Sequence, residues 1–319
     1  MLTTHLIFEQ MNELGAKKVP YFFMIDFLKE HGEVIPLSDL PATIKYSINE
    51  SCMLKKNENF LFEKFPISYQ EYQQQFNKVH KNILFGNSYL TNLTCATPIK
   101  INLSLQQIYQ QTKAKYKLNY NNQFVCFSPE TFVKINGNKI YSYPMKGTID
   151  AAIPNAKNII LSDEKEAAEH ATIVDLIRND LSLVAENVSV TNYRYIDEVI
   201  TNDKTLLQVS SEIAGDLPQD YCANLGTIFN RLLPAGSICG APKNKTVEII
   251  LETETYQRNF YTGVFGVFDG KNVDSAVMIR FIENNNDQLI FKSGGGITAK
   301  SDCQSEYNEM KQKIYVPIY

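Results

Sequence analysis

Residues 123–149, QFVCFSPETFVKINGNKIYSYPMKGTI, read as two or three short strands. β-branched and aromatic residues dominate them and turn residues interrupt them. The NGN triplet at 136–138 is a hairpin signal, and hairpins join antiparallel neighbours. Similar segments recur as YFFMIDFL near the N-terminus and as YTGVFGVFDG, VDSAVMIRFIE and QLIFKSGGGI near the C-terminus. The sequence therefore predicts extensive antiparallel sheet.

A three- and four-residue apolar period marks the predicted helices. Ile173, Ile177 and Leu181 recur at this spacing within residues 163–187, and Asp163 provides an N-cap. Further helices are predicted over residues 68–81, over residues 219–232, from about residue 243, and over residues 301–313. The first 50 residues read as strands with turns. A few long helices beside hairpin-joined strands favour an α+β fold over a doubly wound one.

Charge and cysteine usage exclude several functional classes. The chain has 319 residues, 31 Lys plus Arg and 35 Asp plus Glu, a formal net charge of −4. It shows no basic surplus for nucleic acid, so we expect no nucleic-acid partner. The six cysteines form no zinc-type spacing, which favours a reducing compartment. No leader pattern and no apolar window of about 18 residues is found. We expect a cytoplasmic protein without a membrane partner.

Two acidic pairs stand at helical spacing. Glu166 and Glu169 lie three residues apart, as do Glu306 and Glu309, and Lys313 follows four residues later. Two such pairs could hold a hard cation such as Mg²⁺, which takes oxygen ligands. Taken alone, each pair is more simply a solvated face, because acidic residues in a first helical turn interact favourably with the helix dipole.

Two loops of small residues could bind an anion. The SGGGI stretch includes Gly294, Gly295 and Gly296, whose backbone N–H groups a ligand could approach closely. PAGSICGAPKNK opens a predicted helix, whose N-terminus favours a carboxylate or phosphate. Either loop could instead be simple turn chemistry. Together with the acidic pairs, they suggest a metal-bridged small molecule carrying several carboxylates.

Seven segments in order resemble the motif series of the chorismate-utilising enzymes: SPETF, PMKGT, EHATIVDLIRNDL, PAGSICGAPK, YTGVFG, MIRF and GGGITAKSDCQSEYNEMKQK. That family includes anthranilate synthase and aminodeoxychorismate synthase component I, isochorismate synthase and salicylate synthase. The match runs from about residue 83 to 316. It implies one α/β/β/α sandwich, with residues 1–82 a shortened N-terminal part and 83–319 the chorismate-binding core, together one structural domain.

The resemblance also implies a ligand site. Glu169 and Glu309 match direct Mg²⁺ ligands, and Glu166 and Glu306 lie near the metal. Substrate-binding positions are matched by Arg280, Lys313, Tyr261, Thr148, Ser237 and the three glycines 294–296. Arginine suits a bidentate grip on a carboxylate. For Arg280 alone, a surface ion pair remains the alternative.

Two further positions carry the implied chemistry. Glu130 in SPETF matches the family's general acid, which would need a raised pKa. Lys146 in PMKGT matches the lysine that distinguishes aminodeoxychorismate synthases, whereas anthranilate synthases typically have alanine there. The implied reaction is covalent: Lys146 adds to chorismate, and ammonia then replaces it. An exposed turn lysine is the alternative interpretation.

Three features bear on the branch of the family. Gln208 stands where relatives carry histidine, which weakens the anthranilate and salicylate readings because both need pyruvate elimination. The short N-terminal part implies no tryptophan feedback. No amidotransferase nucleophile motif is present, so the resemblance implies a separate glutamine amidotransferase subunit that supplies ammonia. Siblings of the family, and a non-catalytic metal-stabilised subunit, remain open alternatives.

Overall fold

The computed structural model describes residues 1–49, 60–200 and 205–318. It has two large antiparallel sheets with flanking helices, which confirms the α+β prediction. No helix among these residues is long and apolar enough to cross a membrane. The five described cysteines are free thiols, and Cys52 lies outside the described ranges.

In chain order, the α-helices of the described part are α1 (Thr4–Ala16), α2 (Tyr69–Leu84), α3 (Leu105–Gln111), α4 (Ala156–Ser162), α5 (Glu164–Leu181), α6 (Leu225–Leu232), α7 (Gly236–Cys239), α8 (Lys243–Thr253) and α9 (Cys303–Gln312). The strands are β1 (Leu2–Thr3), β2 (Tyr21–Ile25), β3 (His31–Pro36), β4 (Ile44–Ile48), β5 (Phe62–Lys64), β6 (Leu90–Ile101), β7 (Tyr116–Tyr120), β8 (Phe124–Ser128), β9 (Thr131–Asn136), β10 (Lys139–Ser142), β11 (Met145–Asp150), β12 (Glu186–Ile200), β13 (Thr205–Asp216), β14 (Gly240–Ala241), β15 (Val264–Phe268), β16 (Val273–Val277), β17 (Phe281–Asn285) and β18 (Gln288–Ile297).

The strands form two sheets. Sheet A has the order β1-β3-β2-β15-β16-β9-β10-β13-β11, with β12 paired to β13. Sheet B has the order β14-β6-β18-β17-β8-β7-β4, with β5 paired to β6. The N-terminal strands β1 to β3 join the rest of sheet A through β15. The predicted division at residue 82 stays a prediction.

Strand β2 shows why the molecule has four layers. All five of its residues are buried, and successive side chains point to opposite faces. Phe22 and Met24 pack into an apolar cluster that β7, β8 and β17 of sheet B also enter. Tyr21, Phe23 and Ile25 pack with α1, α5 and α6 on the outer face of sheet A. A third cluster covers sheet B with α2 and α9. The core therefore lies on both faces of each sheet.

The helices whose N-caps are visible in the sequence form close to their predicted positions. Ser68 caps α2 with a capping box, and Asp163 accepts a hydrogen bond from the Glu166 N–H at the start of α5. Helix α5 ends at Leu181, earlier than predicted, because the chain then enters β12. The NGN hairpin joins β9 to β10.

Three sequence-based interpretations were wrong. Residues 4–16 form helix α1, not a strand. The segment VDSAVMIRFIE is not one strand, because it breaks into β16 in sheet A and β17 in sheet B. The glycines of SGGGI lie inside β18 and pair with β6, so they are not a loop.

Candidate active site

A cavity of about 1170 Å³ lies where the two sheets meet. Strands β11 and β13 of sheet A, strand β18 of sheet B and helix α5 all contribute lining residues. The residues predicted from the sequence that line it are Glu130, Lys146, Glu169, Ser237, Tyr261, Arg280, Gly294, Gly295, Gly296 and Lys313. Positions scattered over almost 200 residues of sequence are therefore brought together.

Two crossings between the sheets position Glu130 and Arg280. The chain leaves sheet B after Ser128 and enters sheet A at Thr131, so Glu130 lies on the crossing. It returns from sheet A to sheet B at residues 278–280. The crossings are joined by two backbone hydrogen bonds: Val277 N–H donates to the Glu130 carbonyl at 3.2 Å, and Phe127 N–H donates to the Arg280 carbonyl at 3.2 Å. The two side chains are therefore placed by one shared backbone arrangement.

Arg280 is held in an uncommon backbone conformation. Its φ is +52°, in the left-handed region that non-glycine residues rarely occupy. Its guanidinium lies 5.3 Å from the ring centre of Tyr315, and its buried Nε has no hydrogen-bond partner among the described residues. Such strain at a cavity wall suggests a functional constraint. A ligand carboxylate would satisfy the free guanidinium donor.

Glu130 has the environment of an acid. Its Oε1 accepts a hydrogen bond of 2.6 Å from the Ser237 hydroxyl. Burial raises the pKa of Glu130, while the Ser237 bond and the positive charges of Arg280 and Lys313 offset part of that rise. The carboxyl can therefore keep a proton at a higher pH than a solvated glutamate would.

Lys146 lies on β11, and its side chain faces Glu169 on α5. Its Nζ is 2.9 Å from Glu169 Oε2, and Gly147 beside it has φ of +86°. Burial lowers the pKa of Lys146, but the bond to Glu169 and the charges of Glu169, Glu166 and Glu309 outweigh burial, so the pKa lies above its usual value. The amine is thus a cation as it stands.

The four predicted metal-binding carboxylates lie on α5 and α9, and of these Glu169 lines the cavity whereas Glu166, Glu306 and Glu309 do not belong to its lining residues. Glu166 on α5 lies against Gly147, where an added Cβ would be 3.1 Å from Glu166 Oε2. Glu306 and Glu309 on α9 lie against Gly295, at 3.3 and 3.4 Å from the corresponding position. Burial raises the pKa of both Glu166 and Glu306. Each pair presents oxygen donors, which fits a hard divalent cation.

Two of these carboxylates are paired with lysine ammonium groups, Glu169 with Lys146 and Glu309 with Lys313. Lys313 Nζ lies 2.6 Å from Glu309 Oε1, and its charge holds the pKa of Glu309 below the usual value despite burial, which acts to raise it. Within the described residues, no three His, Cys, Asp or Glu side chains are gathered into a metal-binding group. The chemistry of the donor set fits Mg²⁺, and binding would require these side chains to change partners.

The glycines of β18 give the cavity an open strand edge. Strand β17 pairs with β18 only as far as Lys292, whereas β6 continues to pair through Ile297. Along 294–296 one edge of β18 therefore faces the cavity, and the Gly294 carbonyl accepts a 2.9 Å hydrogen bond from Lys313 Nζ. A side chain at Gly294 would collide with the backbone of β6 at Leu93. The close approach of the two strands explains the glycine.

Of the remaining predicted residues, some line the cavity and one does not. Tyr261 is buried, and its ring packs against Phe281 at a centre distance of 5.9 Å. Gln208 on β13 lines the cavity. Thr148 on β11 pairs with Gln208, is exposed, and does not belong to the lining residues of the described chain. The structure thus separates Thr148 from the group.

Several lining residues were not singled out from the sequence. Lys292 on β18 lines the cavity although its side chain is 1% exposed, and it forms a 2.8 Å ion pair with Glu283. A lysine inside the apolar stretch LIFKSG was a visible signal for it. Lys165 and Lys300 also line the cavity and are solvent-exposed, so nothing in their sequence context distinguishes them.

This arrangement can bind a small molecule with several carboxylates. Arg280 and Lys313 supply positive charge, and the acidic pairs supply oxygen ligands. An acid with a raised pKa and an amine lie in the same cavity. Proton transfer and nucleophilic addition to a bound anion are both chemically available.

Comparisons with known proteins identify the family. The family model described as chorismate binding enzyme matches residues 29–318. An uncharacterized PabA-like protein of Pasteurella multocida is 49% identical over 99% of this chain and 100% of its own length. Aminodeoxychorismate synthase component 1 of Bacillus subtilis is 30% identical over 78% of this chain and 55% of its own. The solved anthranilate synthase component I of Streptococcus pneumoniae has a TM-score of 0.68 at 25% identity, over 79% of this chain and 58% of that one.

Proposed function

The chain belongs to the family of chorismate binding enzymes, and on that premise we propose that it converts chorismate and ammonia into 4-amino-4-deoxychorismate, the aminodeoxychorismate synthase component I reaction. One observation carries the proposal: Lys146 lines the cavity together with Glu130 and Arg280. A nucleophile, an acid and a carboxylate clamp then face one bound molecule. The relative from Bacillus subtilis is named for this reaction, and an anthranilate synthase component 1 of Archaeoglobus fulgidus matches at the same 30% identity, so the choice between the two reactions rests on Lys146.

Lys146 is the nucleophile in the first half of the reaction. Its neutral amine forms a bond to C2 of the chorismate ring, and the two ring double bonds shift toward C4. The C4 hydroxyl leaves with a proton from Glu130, so that water is released. An amine with a pKa near 10 is largely protonated at neutral pH, and the bond to Glu169 strengthens this. Lys146 must therefore lose its proton before it attacks.

Ammonia completes the second half. It adds at C4, the double bonds shift back, and the C2–nitrogen bond breaks to release the Lys146 amine. The ammonium group formed at C4 gives one proton back to the Glu130 carboxylate. Chorismate and ammonia thus become aminodeoxychorismate and water, with both side chains restored.

A divalent cation is the proposed cofactor. Glu169 and Glu309 would bind Mg²⁺ directly, with Glu166 and Glu306 nearby. When bound, the ion would supply positive charge that offsets repulsion between these carboxylates and a substrate carboxylate. Arg280, Tyr261 and the open edge of β18 would hold the substrate's carboxylates beside it.

A separate glutaminase subunit is the proposed source of ammonia. The described cysteines lie in no amidotransferase motif, and three of them are buried. Such a partner would hydrolyse glutamine and deliver ammonia to the cavity, and ammonium salts should replace it in vitro. The proposed location is the cytoplasm, and the product would serve 4-aminobenzoate and folate synthesis after a lyase step.

The deciding experiment is a product assay. Purified chain is incubated with chorismate, Mg²⁺ and ammonium, with and without an aminodeoxychorismate lyase, and the products are identified by mass. Aminodeoxychorismate, converted to 4-aminobenzoate by the lyase, is expected. Anthranilate, isochorismate or salicylate would select a sibling reaction, and no turnover under any condition would favour a non-catalytic subunit.

A further inference from the structure

A second cavity shares its wall with the active site. Its volume is about 20 Å³, and Glu130, Pro144 and Ser237 line both cavities. Its polar lining also includes Asp180, Ser142, Thr131 and Tyr143. A cavity holds a water molecule once it exceeds about 10–15 Å³ and offers two to four polar partners. This one meets both conditions.

Asp180 is a largely buried charge that the proposed reaction does not use. It lies near the end of α5 with its side chain 13% exposed, and its Oδ2 is 2.8 Å from Lys243 Nζ. Lys243 also donates a 2.6 Å hydrogen bond to the Leu232 carbonyl at the end of α6. The pair therefore ties the ends of α5 and α6 to the start of α8.

Helix α7 connects this pair to the acid. A Cβ on Gly236 would lie only 2.5 Å from Asp180 Oδ2, so the first residue of α7 packs directly on the carboxylate. The next residue, Ser237, donates to Glu130. Asp180 and Glu130 thus flank the same helical turn, and both face the small cavity.

We propose that one water molecule occupies the small cavity and hydrogen-bonds both Glu130 and Asp180, and that Asp180 is a positioning residue that keeps Glu130 in its proton-donating form. The inference rests on the acid function proposed above for Glu130. Two carboxylates joined through one water are not both ionised without repulsion. Lys243 stabilises the charged form of Asp180, so Glu130 is the member that keeps the proton.

Other charged and titratable groups near Glu130 and Asp180 also affect the pKa values of these two carboxyls. Burial raises the pKa of Asp180, and the ammonium of Lys243 offsets part of that rise. Burial also raises the pKa of Glu130, and the Ser237 hydrogen bond with the charges of Arg280 and Lys313 offsets part of that rise. The groups around the two carboxylates are Arg280, Lys313, Lys243, Cys239 and Tyr143. Neutralising Asp180 also leaves the Lys243 ammonium without its ion-pair partner, so the substitution reports the loss of the Asp180 charge together with that pairing.

The test compares Asp180→Asn with the wild-type chain and with Asp175→Asn. Asp175 lies on the same helix, is exposed and pairs with Arg178, so it controls for loss of one carboxylate. The pKa of Glu130 is measured by NMR titration of ¹³C-labelled glutamate, assigned with Glu130→Gln. We expect Asp180→Asn to lower it by about 0.5–1 pH unit. Asp175→Asn should leave it unchanged.

Two further measurements complete the test. The high-pH loss of kcat should move to lower pH by the same amount in Asp180→Asn, which a merely structural defect would not produce. A high-resolution crystal structure of the wild-type chain should show a water bonded to both carboxylates, and it decides the matter if the variant does not fold. An empty cavity, or an Asp180→Asn titration equal to or above that of the wild type, overturns the inference. A shifted titration without product formation would instead reject the proposed function.

Discussion

At the scale of single residues, Lys146 and Glu130 would carry the proposed chemistry, and they are held differently. Lys146 is paired with Glu169 at 2.9 Å, which keeps its amine charged. Glu130 accepts a 2.6 Å hydrogen bond from the Ser237 hydroxyl. Its burial favours the protonated form of the carboxyl. One side chain must lose a proton and the other must give one, so their substitutions should have distinguishable effects.

Replacing Lys146 by alanine should abolish aminodeoxychorismate formation. Without the amine no covalent adduct forms, and we expect activity with ammonium to fall by at least about a thousandfold, the scale of a lost nucleophile, or to shift toward an anthranilate-type product. The measurement is product mass after incubation with chorismate and ammonium, with binding of chorismate as the control for folding. A fully active Lys146→Ala chain would contradict the assignment.

Replacing Glu130 by glutamine should separate binding from turnover. The amide keeps a similar shape and can still bond Ser237, but it cannot donate a proton to the leaving hydroxyl. We expect chorismate affinity within a few-fold of the wild type and kcat lower by about 10²–10⁴. Calorimetric binding and steady-state kinetics measure the two quantities, and an active variant would refute the acid function.

At the scale of secondary-structure elements, the predictable parts are those with local signals. Helices α2, α5 and α9 have capping side chains at Ser68, Asp163 and Asp302, and their sequences showed where they begin. Helix α1 has no side-chain cap hydrogen bond, and its first residues Thr-His-Leu-Ile-Phe suit a strand as well. Its helical form depends on packing against α6 and β3, which no local pattern reports.

The site also contains parts that no local signal predicts. Glycine usually indicates a turn, yet Gly294 lies in a strand because the backbone of β6 passes too close for a side chain. No glycine or proline marks the break at Arg280, whose left-handed backbone follows from the crossing between sheets. The motif resemblance predicted which residues are functional, whereas this geometry is a property of distant strand pairs.

Helix α5 carries a pH-sensitive contact on its other side. His170 is fully buried, and its Nε2 lies 2.7 Å from the Ser211 hydroxyl on β13. Burial, with the charge of Arg194, lowers the pKa of His170 to about 4 from an ordinary 6.5. Between these values the unfolded chain binds more protons than the folded one, so stability is lost as the pH falls below about 6.5.

Replacing His170 by glutamine should remove that part of the pH dependence. From pH 7.5 to 5.0 the histidine is expected to contribute a loss of about 2 kcal/mol in the free energy of unfolding. Urea unfolding of the wild type and of His170→Gln at the two pH values measures it. The exposed His5 supplies the control, since His5→Gln should lose as much stability as the wild type. Equal losses in wild type and His170→Gln would contradict the expectation.

At the scale of the whole molecule, charge is distributed unevenly. The chain carries a net −4, yet Lys165 and Lys300 are exposed at the cavity lining, ahead of Arg280 and Lys313 within it. A negatively charged protein would on average repel an anionic substrate. Lysines at the entrance would offset that repulsion locally and raise the rate of encounter.

The double substitution Lys165→Gln with Lys300→Gln should therefore lower kcat/KM at low ionic strength by about three- to tenfold, with a smaller effect on kcat. The difference should shrink as salt is added, because exposed charges are screened. Lys18→Gln with Lys271→Gln removes two exposed lysines outside the cavity lining and is the control. A salt-independent loss would indicate a direct contact with substrate instead of steering.

The pairing of β2 with β15 has a consequence for how the chain is made. Strand β15 is synthesised about 240 residues after β2, and β18 follows β6 by about 200 residues. At roughly 5–20 residues per second, about 12–50 s pass between the synthesis of the apolar strand β2 and that of its partner β15. The free edge of β2 is a template for wrong pairing during that interval. Yield in the cell should therefore respond to translation speed and chaperone supply more strongly than the stability of the finished fold would suggest.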